Sequence, residues 1–420
     1  MGLLRSPGNF KQQYCYYPMK IVGADACSDQ LVCCILEEKP TDFRSVWHSQ
    51  EYMHIPTNTF GLKMMLELKP DVVVLEPTGM RYIKFWLVNL ARHGVEVRLV
   101  HNTKLPIYRK SLDLPDKDDY ADSLALAGYY FEYKDVAHRW VTQRDPDICK
   151  MREILHRIES MNRAANAYIN RLKQSLSSEF PEHAKAKECA RLFWGWLAGV
   201  RESKKYDAKL AESEGVGISE FTRFDARHYY DIITHVDKLE KQIKVLQSKS
   251  KFCKYMKAFK HWQVGTRIAA ALLCQIFPIE SLLDEQGKPI VISTWGKKTK
   301  RQKKTKKRLS LRKFKKCLGV APVREWSGKQ NRAAKKAGSA LARKSLWRWV
   351  FTKCDRKDTK LLPHVEELRI MLHRMKADGV PIMKARSRVW VRLVKSLFYE
   401  IVYSNDSCSV DKSLSVDLAL

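Results

Sequence analysis

The first 145 residues alternate between short apolar runs and amphipathic stretches. The short runs, bounded by polar turn residues, predict strands in MKIVGADAC, QLVCCILEE, FRSVWHS, DVVVLE and VEVRLVH. Helical spacing over residues 58–68 and in RYIKFWLVNLARHG, which stops at the capping residue Gly94, predicts two helices, and a third begins near Pro115. The order β-β-β-α-β-α-β-α predicts an α/β domain, in which a mixed sheet carries helices on its faces.

From Pro146 onward the apolar positions follow a helical repeat. Spacings of three and four residues form a first seam of Met151, Ile154, Ile158, Met161, Ala165, Tyr168 and Leu172, which ends before Pro181. A second seam comprises Ile232, Val236, Leu239, Ile243 and Leu246. The two seams are typical of an antiparallel hairpin within one chain, of a coiled coil between chains, or of two ordinary helices of a bundle. The pattern leaves all three open.

The remaining sequence contains an apolar helix and a very basic segment. WQVGTRIAAALLCQIF predicts a glycine turn followed by a helix, and the sequence from Gln286 to Arg324 contains no acidic residue. Within it, KKTKRQKKTKKRLSLRKFKK has Lys or Arg at 13 of 20 positions, which is typical of a solvated segment that is disordered when free. We predict regions 18–145 (α/β), 146–255 (helical or coiled-coil, dimerising), 256–403 (mainly helical, with a basic insertion at 286–316) and 404–420 (polar tail).

The net charge of the chain limits the classes of partner that it is expected to bind. The 420 residues include 77 Lys and Arg against 46 Asp and Glu, a formal net charge of +31. Such a balance favours nucleic acid or an anionic membrane surface as the partner. No apolar run reaches the roughly 18 residues that a membrane span needs, so we expect no membrane association.

Four acids in the basic chain are candidates for binding a cation. Asp25 lies within the first strand on the face opposite Val22, and Glu76 ends another strand, where open sheets place their sites. Asp119 and Asp122 are three residues apart and project from one face of a helix. Hard oxygen ligands of this kind suit Mg²⁺, with Mn²⁺ as the alternative. The competing interpretation is that Glu76 caps a turn and that the two helix acids complement the helix dipole.

Several motifs resemble a known family. IVGADAC, EPTG and KDDYADSLALA resemble three elements of the bacterial insertion-sequence transposases with a RuvC-like DEDD domain, a family that includes the Piv-type invertases. CLGVAPVREWSGKQNRAAKKAGSALARKSLWRWV resembles the serine-containing segment of their second half. The resemblance covers about 20–180 and 255–355, and it departs from the family at Ser123, where the family often has Ala.

The resemblance implies both a fold and an activity. The fold would be a ribonuclease-H-like domain, a helical coiled-coil middle and a mainly helical C-terminal transposase domain. The activity would be recombination of double-stranded donor and target DNA, guided by a structured bridge RNA and carried out by a tetramer built as a dimer of dimers. The four acids would bind Mg²⁺, and Ser327 would attack the scissile phosphate and become linked to a DNA end. In the family, the acids and the serine of one site come from different subunits. The location would be the prokaryotic cytoplasm, at the nucleoid.

Basic residues around these motifs are candidates for contacts with phosphates. They are Lys297, Lys298, Lys300, Arg301, Lys303, Lys304, Lys306, Lys307, Arg308, Lys329, Arg332, Lys335 and Lys336. The last four follow Gly328, which allows close approach of backbone to phosphate, on a loop or helix start. The region of Trp194 and Trp196 is a second apparent insertion, and RNA binding or a place in the core are its two interpretations.

Two other functions remain open at this stage. A metal-dependent, structure-specific nuclease resembling a Holliday-junction resolvase would use the acids with water, leaving Ser327 incidental. A catalytically inactive RNA-binding or DNA-binding protein would keep only the fold and the basic surface. Intact acids argue against the inactive protein, because such a descendant would be free to lose them.

Overall fold

The apolar runs of the first part of the chain form one mixed sheet. Its strands are β1 (Ile21–Ala26), β2 (Gln30–Leu36), β3 (Met53–Pro56), β4 (Val72–Leu75) and β5 (Glu96–Leu99). The spatial order is β3-β2-β1-β4-β5, with β2 antiparallel to β1 and β3, and with β1, β4 and β5 parallel. The predicted mixed α/β architecture is confirmed at this level.

The computed structural model describes most of the chain. The described residues are 19–77, 80–114, 116–141, 144–188, 190–295, 304–327, 330–336, 338–356 and 360–403. Contacts divide the chain into two units, one up to residue 143 and the other from residue 144. The three predicted regions that begin at 18, 146 and 256 remain a prediction, and the tail 404–420 lies outside the described residues.

Helices cover both faces of the sheet. They are α1 (Phe43–Ser49), α2 (Thr59–Glu67), α3 (Met80–Arg92), α4 (Leu105–Ser111) and α5 (Asp119–Tyr133). On one face Ile21 and Val74 share a core with side chains of α1, α4 and α5. On the other, Val22 packs with residues of α2 and α3, such as Met65 and Trp86. Alternate residues of each strand therefore enter different cores.

Two sequence-based assignments in this unit were wrong. FRSVWHS is helix α1 and not a strand, because Asp42 caps it by accepting from Arg44 N and Ser45 N. The third strand is Met53–Pro56 instead, and the segment after the fifth strand, which its Lys and Pro residues predict to be a loop, contains helix α4. Phe43 and Val46 are three residues apart and both contact the α5-side core, a helical spacing that a seven-residue window conceals.

The second unit begins with a long helical hairpin. It contains α6 (Pro146–Glu179), α7 (Arg191–Leu197), α8 (Lys204–Ala211) and α9 (Glu220–Gln247). The first half of α6 shares a core with the second half of α9, and the second half of α6 with the first half of α9. Ion pairs at the two ends, Lys249–Asp147 and Arg171–Asp225, show the same antiparallel direction. The two seams thus pair within one chain.

Trp194 and Trp196 belong to the core of this hairpin. They are 0% and 5% exposed, and their indole N–H groups donate to Lys187 O at 3.0 Å and to Asp207 Oδ1 at 2.7 Å. Both rings are therefore buried within this core. The core interpretation is confirmed, and neither ring is available to stack on a base.

The remaining elements pack against the same hairpin. The helices are α10 (Cys253–His261), α11 (Thr266–Ile276), α12 (Leu309–Cys317), α13 (Ala340–Lys353), α14 (Pro363–Ala377) and α15 (Ile382–Tyr403). Two antiparallel strand pairs accompany them, β6 (Val291–Trp295) with β7 (Lys304–Arg308) and β8 (Pro322–Ser327) with β9 (Gln330–Lys336). The C-terminal half of the basic run is therefore strand β7 and helix α12 and not a disordered loop. Among the described residues, none of the helices combines the length and apolarity needed to cross a membrane.

Candidate acidic site

A glycine lets helix α5 approach the central strand closely. A β-carbon placed on Gly23 would lie 2.1 Å from Ser123 O and 2.4 Å from Ala127 N. The helix can approach this closely only because Gly23 has no side chain. The first turn of α5 is consequently held against the strand that carries Asp25.

Strand register brings Asp25 and Glu76 together. Ala24 of β1 pairs in parallel with Leu75 of β4, so the next residues on the two strands are Asp25 and Glu76. Neighbouring strands lie about 4.8 Å apart. Asp25 points to the α5 face, opposite Val22, as the alternation of the sequence predicts. The two acids thus share the carboxyl edge of the parallel strands.

The first turn of α5 supplies the other two acids. Asp118 caps the helix by accepting from Ala121 N at 2.6 Å, which leaves the side chains of Asp119 and Asp122 free of the capping role. Asp119 is exposed and accepts a 3.3 Å hydrogen bond from Cys27 Sγ, just beyond β1. Asp122 is 6% exposed. The residue that caps the helix is therefore their neighbour Asp118.

The four acids act on one another electrostatically. Burial, together with the negative charges of Asp122, Asp119 and Glu76, raises the pKa of Asp25 to about 7. Desolvation and like charges nearby both raise the pKa of a carboxyl group, because each disfavours its charged form. The structure therefore gathers all four sequence-predicted acids into one site.

Arg109 is a member of the site that sequence reasoning missed. Its Nη1 lies 2.5 Å from Asp122 Oδ1, and both side chains are buried. Burial raises the pKa of Asp122, while the hydrogen bond and the charge of Arg109 oppose that rise. The contact joins α4 to α5, and α4 itself was not predicted. No local signal in the sequence distinguishes this arginine from others.

A histidine and a tyrosine border the site and were also missed. Register pairs Asp25 with Val32 and Val32 with His54, so His54 lies on the same sheet face two strands from Asp25. His54 Nε2 is 3.3 Å from the hydroxyl of Tyr120, which follows Asp119 on α5. His54 lies on strand β3. Because FRSVWHS was predicted as the third strand instead, the sequence did not place His54 in the sheet.

The chemistry of the donor set fits a hard divalent cation. Carboxylate oxygens are preferred by Mg²⁺ and Mn²⁺, and a cation between the acids would relieve their repulsion. Within the part of the chain that the structure describes, no three His, Cys, Asp or Glu side chains are grouped so that they could hold a metal ion. Of the four acids, Asp122 is engaged by Arg109.

Ser327 and the basic candidates belong to the second unit. Ser327 ends β8 and pairs with Gln330, the first residue of β9, which replaces the predicted loop or helix start. Arg332, Lys335 and Lys336 lie on β9, and Lys304 begins β7. Lys306, Lys307 and Arg308 of β7 are exposed, and Arg308 Nη1 donates to Tyr399 Oη at 2.6 Å. Outside the described residues lie Lys297, Lys298, Lys300, Arg301, Lys303, Gly328 and Lys329.

Comparison with known proteins adds no identification. The chain matches no protein-family model and no curated protein.

Proposed function

We propose that this chain cuts and rejoins DNA strands in a Mg²⁺-dependent reaction served by the acids of the first unit. One observation carries the proposal: Asp25 is partly buried near Glu76, Asp119 and Asp122, and burial together with their negative charges raises its pKa to about 7. Repulsion between carboxylates destabilises a folded protein unless a bound ligand offsets their negative charge. A divalent cation is the ligand whose charge and oxygen preference match.

The excess of basic residues in the chain favours a polyanionic substrate. Lys and Arg outnumber Asp and Glu by 77 to 46, and Lys306 and Lys307 are exposed on β7. A surface of this kind attracts phosphates strongly and without regard to base sequence. An acidic site within a basic chain is suited to phosphodiester chemistry, because the acids take up the metal while the surface holds the backbone.

Ser327 is the proposed nucleophile. Its Oγ would form a bond to phosphorus as one phosphorus–oxygen ester bond of the strand breaks, with the hydroxyl proton passing to a base and the leaving DNA oxygen taking up a proton. A bound Mg²⁺ would offset the negative charge that develops on the phosphate. The phosphoserine ester conserves the bond energy, so a DNA hydroxyl can reverse the step and rejoin strands without ATP.

Guidance by a bridge RNA and assembly as a dimer of dimers complete the proposal. Both follow from the resemblance of the IVGADAC, EPTG, KDDYADSLALA and WSG segments to the transposase family. Because α6 and α9 pair with each other within one chain, their seams do not explain how subunits would associate. The contact between subunits is therefore a separate part of the proposal.

A nuclease is the second candidate, and one observation favours it. All four acids lie within the first unit, so a metal-activated water would need no residue of the second unit. In that case the strands would be cut without a protein–DNA bond.

A covalent-adduct assay separates the two candidates. Full-length protein is incubated with the transcript flanking its gene, supercoiled donor and target DNA and Mg²⁺, and protein attached to DNA is detected after denaturation. We expect an adduct with the wild type and with Ser387→Ala, a matched change of a half-buried serine on α15, and none with Ser327→Ala. Recombinants from Ser327→Ala would refute the serine mechanism, cleavage without an adduct in the wild type would favour the nuclease, and an unchanged yield without RNA would refute guidance.

A further inference from the structure

Helices α12 and α15 pack against each other through buried rings. The centroids of the Phe314 and Phe398 rings are 5.3 Å apart, and the two side chains are 0% and 1% exposed. Leu311 of α12 and Leu397 of α15 belong to the same core. Because these side chains point inward, the outward faces of the two helices lie side by side and can be occupied by one partner.

The outward face of α15 combines basic and aromatic side chains. Spacings of three and four residues place five of them on one side of the helix, namely Arg388, Arg392, Lys395, Tyr399 and Tyr403. Arg388, Arg392 and Tyr403 are exposed, and Lys395 and Tyr399 are half-buried. The buried residues of α15 enter the core instead. This face therefore presents cations and aromatic rings to the solvent.

Two lysines on this surface disfavour each other's charge. Burial lowers the pKa of Lys315 on α12, and the positive charge of Lys395 lowers it further. Helix α12 contains no acidic residue, and the one acid of α15 is Glu400. Glu400 is engaged on the side of α10, where Trp262 Nε1 donates to it at 2.7 Å and His261 Nδ1 lies 2.8 Å away. A bound phosphate group would offset the repulsion between the lysines.

Two tyrosines extend the surface beyond the lysines. The rings of Tyr399 and Tyr403 are nearly parallel, with an interplanar angle of 10° and centroids 6.1 Å apart. Arg308 Nη1 donates to Tyr399 Oη at 2.6 Å, which holds the first ring beside the end of β7. The second ring, that of Tyr403, is 65% exposed. An exposed ring beside basic side chains is the arrangement on which unpaired bases stack in proteins that bind single strands.

We propose that the face formed by Lys315, Lys395 and Tyr403 binds a single-stranded polynucleotide, with the lysines at its phosphates and the tyrosine ring against an unpaired base. A duplex keeps the faces of its bases within the stack, so it could use the lysines but not the ring. A membrane surface is disfavoured, because the apolar residues that α15 would insert are buried in the core. This inference rests on the proposed function, which requires a polynucleotide, and adds the surface that holds an unpaired strand.

Strands with and without bases test the role of the tyrosine. Full-length protein in chelator is titrated with labelled oligothymidylate, or with an abasic strand of the same length, and fluorescence anisotropy measures binding. Tyr403→Ala should lose at least about fivefold in affinity for oligothymidylate and nothing for the abasic strand. Tyr403→Phe, which keeps the ring, and Tyr82→Ala, at an exposed tyrosine of α3, should bind like the wild type. No loss with Tyr403→Ala, or an equal loss for both strands, would overturn the stacking contact.

The same titration with oligouridylate compares RNA with DNA. Because stacking uses the face of the base, which the two share, Tyr403→Ala should lose affinity for both strands. A loss confined to one of them would overturn the assignment of the contact to the base.

Salt dependence tests the lysines. Each phosphate contact contributes about 0.7 to the slope of log K against log salt for a single strand, so Lys315→Gln/Lys395→Gln should make the slope shallower by about 1.4. Lys315→Arg/Lys395→Arg keeps both charges and should keep the slope. Lys241→Gln/Lys244→Gln, at exposed lysines of α9, is the control with the same change in charge. Equal slopes for the two glutamine double variants would overturn the phosphate contacts.

Other outcomes separate this inference from the proposed function. Strand binding in chelator requires no cleavage, so a protein that binds as described but cuts no DNA would refute the proposed function alone. DNA cleavage by the wild type, together with unchanged strand binding by Tyr403→Ala, would overturn this inference alone. An equal loss of affinity for a DNA duplex in Tyr403→Ala would contradict the single-strand assignment. Binding to phosphatidylserine vesicles that Lys315→Gln/Lys395→Gln abolishes, with strand binding kept, would identify a membrane surface instead.

Discussion

Gly23 of β1 lies so close to Ser123 of α5 that a β-carbon on the glycine would sit 2.1 Å from the serine carbonyl oxygen. This contact sets the distance between the strand that carries Asp25 and the helix turn that carries Asp119 and Asp122. The acidic site therefore depends on a residue that has no functional group.

Gly23→Ala is expected to separate α5 from the sheet. The added methyl group meets backbone atoms that cannot rotate away, so we expect a loss of about 2–3 kcal/mol in the free energy of unfolding. Mn²⁺ affinity should fall by at least about tenfold, because ligands on the two elements move apart. Gly265→Ala, where the β-carbon meets nothing within 4 Å, is the matched control. Equal behaviour of the two variants would contradict the role of the close approach.

Asp25→Asn is expected to stabilise the metal-free protein at pH 8. Because the pKa of Asp25 is about 7 in the folded chain against 3.8 as its ordinary value, the folded state binds a proton between these pH values that the unfolded state does not. Stability of the wild type should therefore fall as pH rises from about 4 to 7, by on the order of 2–4 kcal/mol.

Calorimetric unfolding of the full-length protein in a chelator, at pH 5 and pH 8, measures this dependence. The asparagine variant should lose much of the pH dependence and melt above the wild type at pH 8. Excess Mg²⁺ should reverse the order, because only the wild type keeps its full ligand set. A variant that melts below the wild type at pH 8 in chelator would show that the acids do not repel one another.

Trp194→Ala is expected to damage stability and not recognition. The ring is 0% exposed and its N–H is bonded to Lys187 O, so truncation should cost about 3–5 kcal/mol. Affinity for RNA, measured by fluorescence anisotropy well below the melting temperature, should stay within error of the wild type. A large loss of affinity at unchanged stability would identify the ring as an RNA contact instead.

Lys306→Ala/Lys307→Ala is expected to weaken nucleic-acid binding in a salt-dependent way. If both exposed side chains contact phosphates, the slope of log K against log salt should become shallower by about 2. The exposed pair Lys241 and Lys244 on α9 provides a control with the same change in charge. Equal slopes for the two double variants would show that β7 is not a preferred contact surface.

The sequence predicted the strand or helix face on which the acids lie better than it predicted the residues around them. Strand alternation placed Asp25 opposite Val22, and the three-residue spacing placed Asp119 and Asp122 on one helix face, because both periodicities are local. Arg109 reaches Asp122 across 13 residues through tertiary packing, which no local period encodes. The same limit applies to FRSVWHS, whose seven residues fit a strand until the cap from Asp42 is seen.

The helical seams show a different kind of limit. Their apolar spacing predicted α6 and α9 correctly, yet a repeat of this kind is equally compatible with a partner helix from the same chain or from another. The contacts Lys249–Asp147 and Arg171–Asp225 decide for the same chain, and both are polar pairs outside the seam. The apolar pattern alone therefore does not specify whether the partner helix belongs to the same chain.

Mg²⁺-dependent DNA cleavage by charge-neutral variants tests the acidic site most directly. Glu76→Gln removes one proposed ligand, and Glu67→Gln makes the same change at an exposed acid of α2 in the same unit. With the transcript and supercoiled DNA present, we expect strand cleavage by the wild type and by Glu67→Gln in Mg²⁺, none in chelator, and a loss of at least about 100-fold in Glu76→Gln. Cleavage by Glu76→Gln at the rate of Glu67→Gln would contradict the assignment of the acids as the metal site.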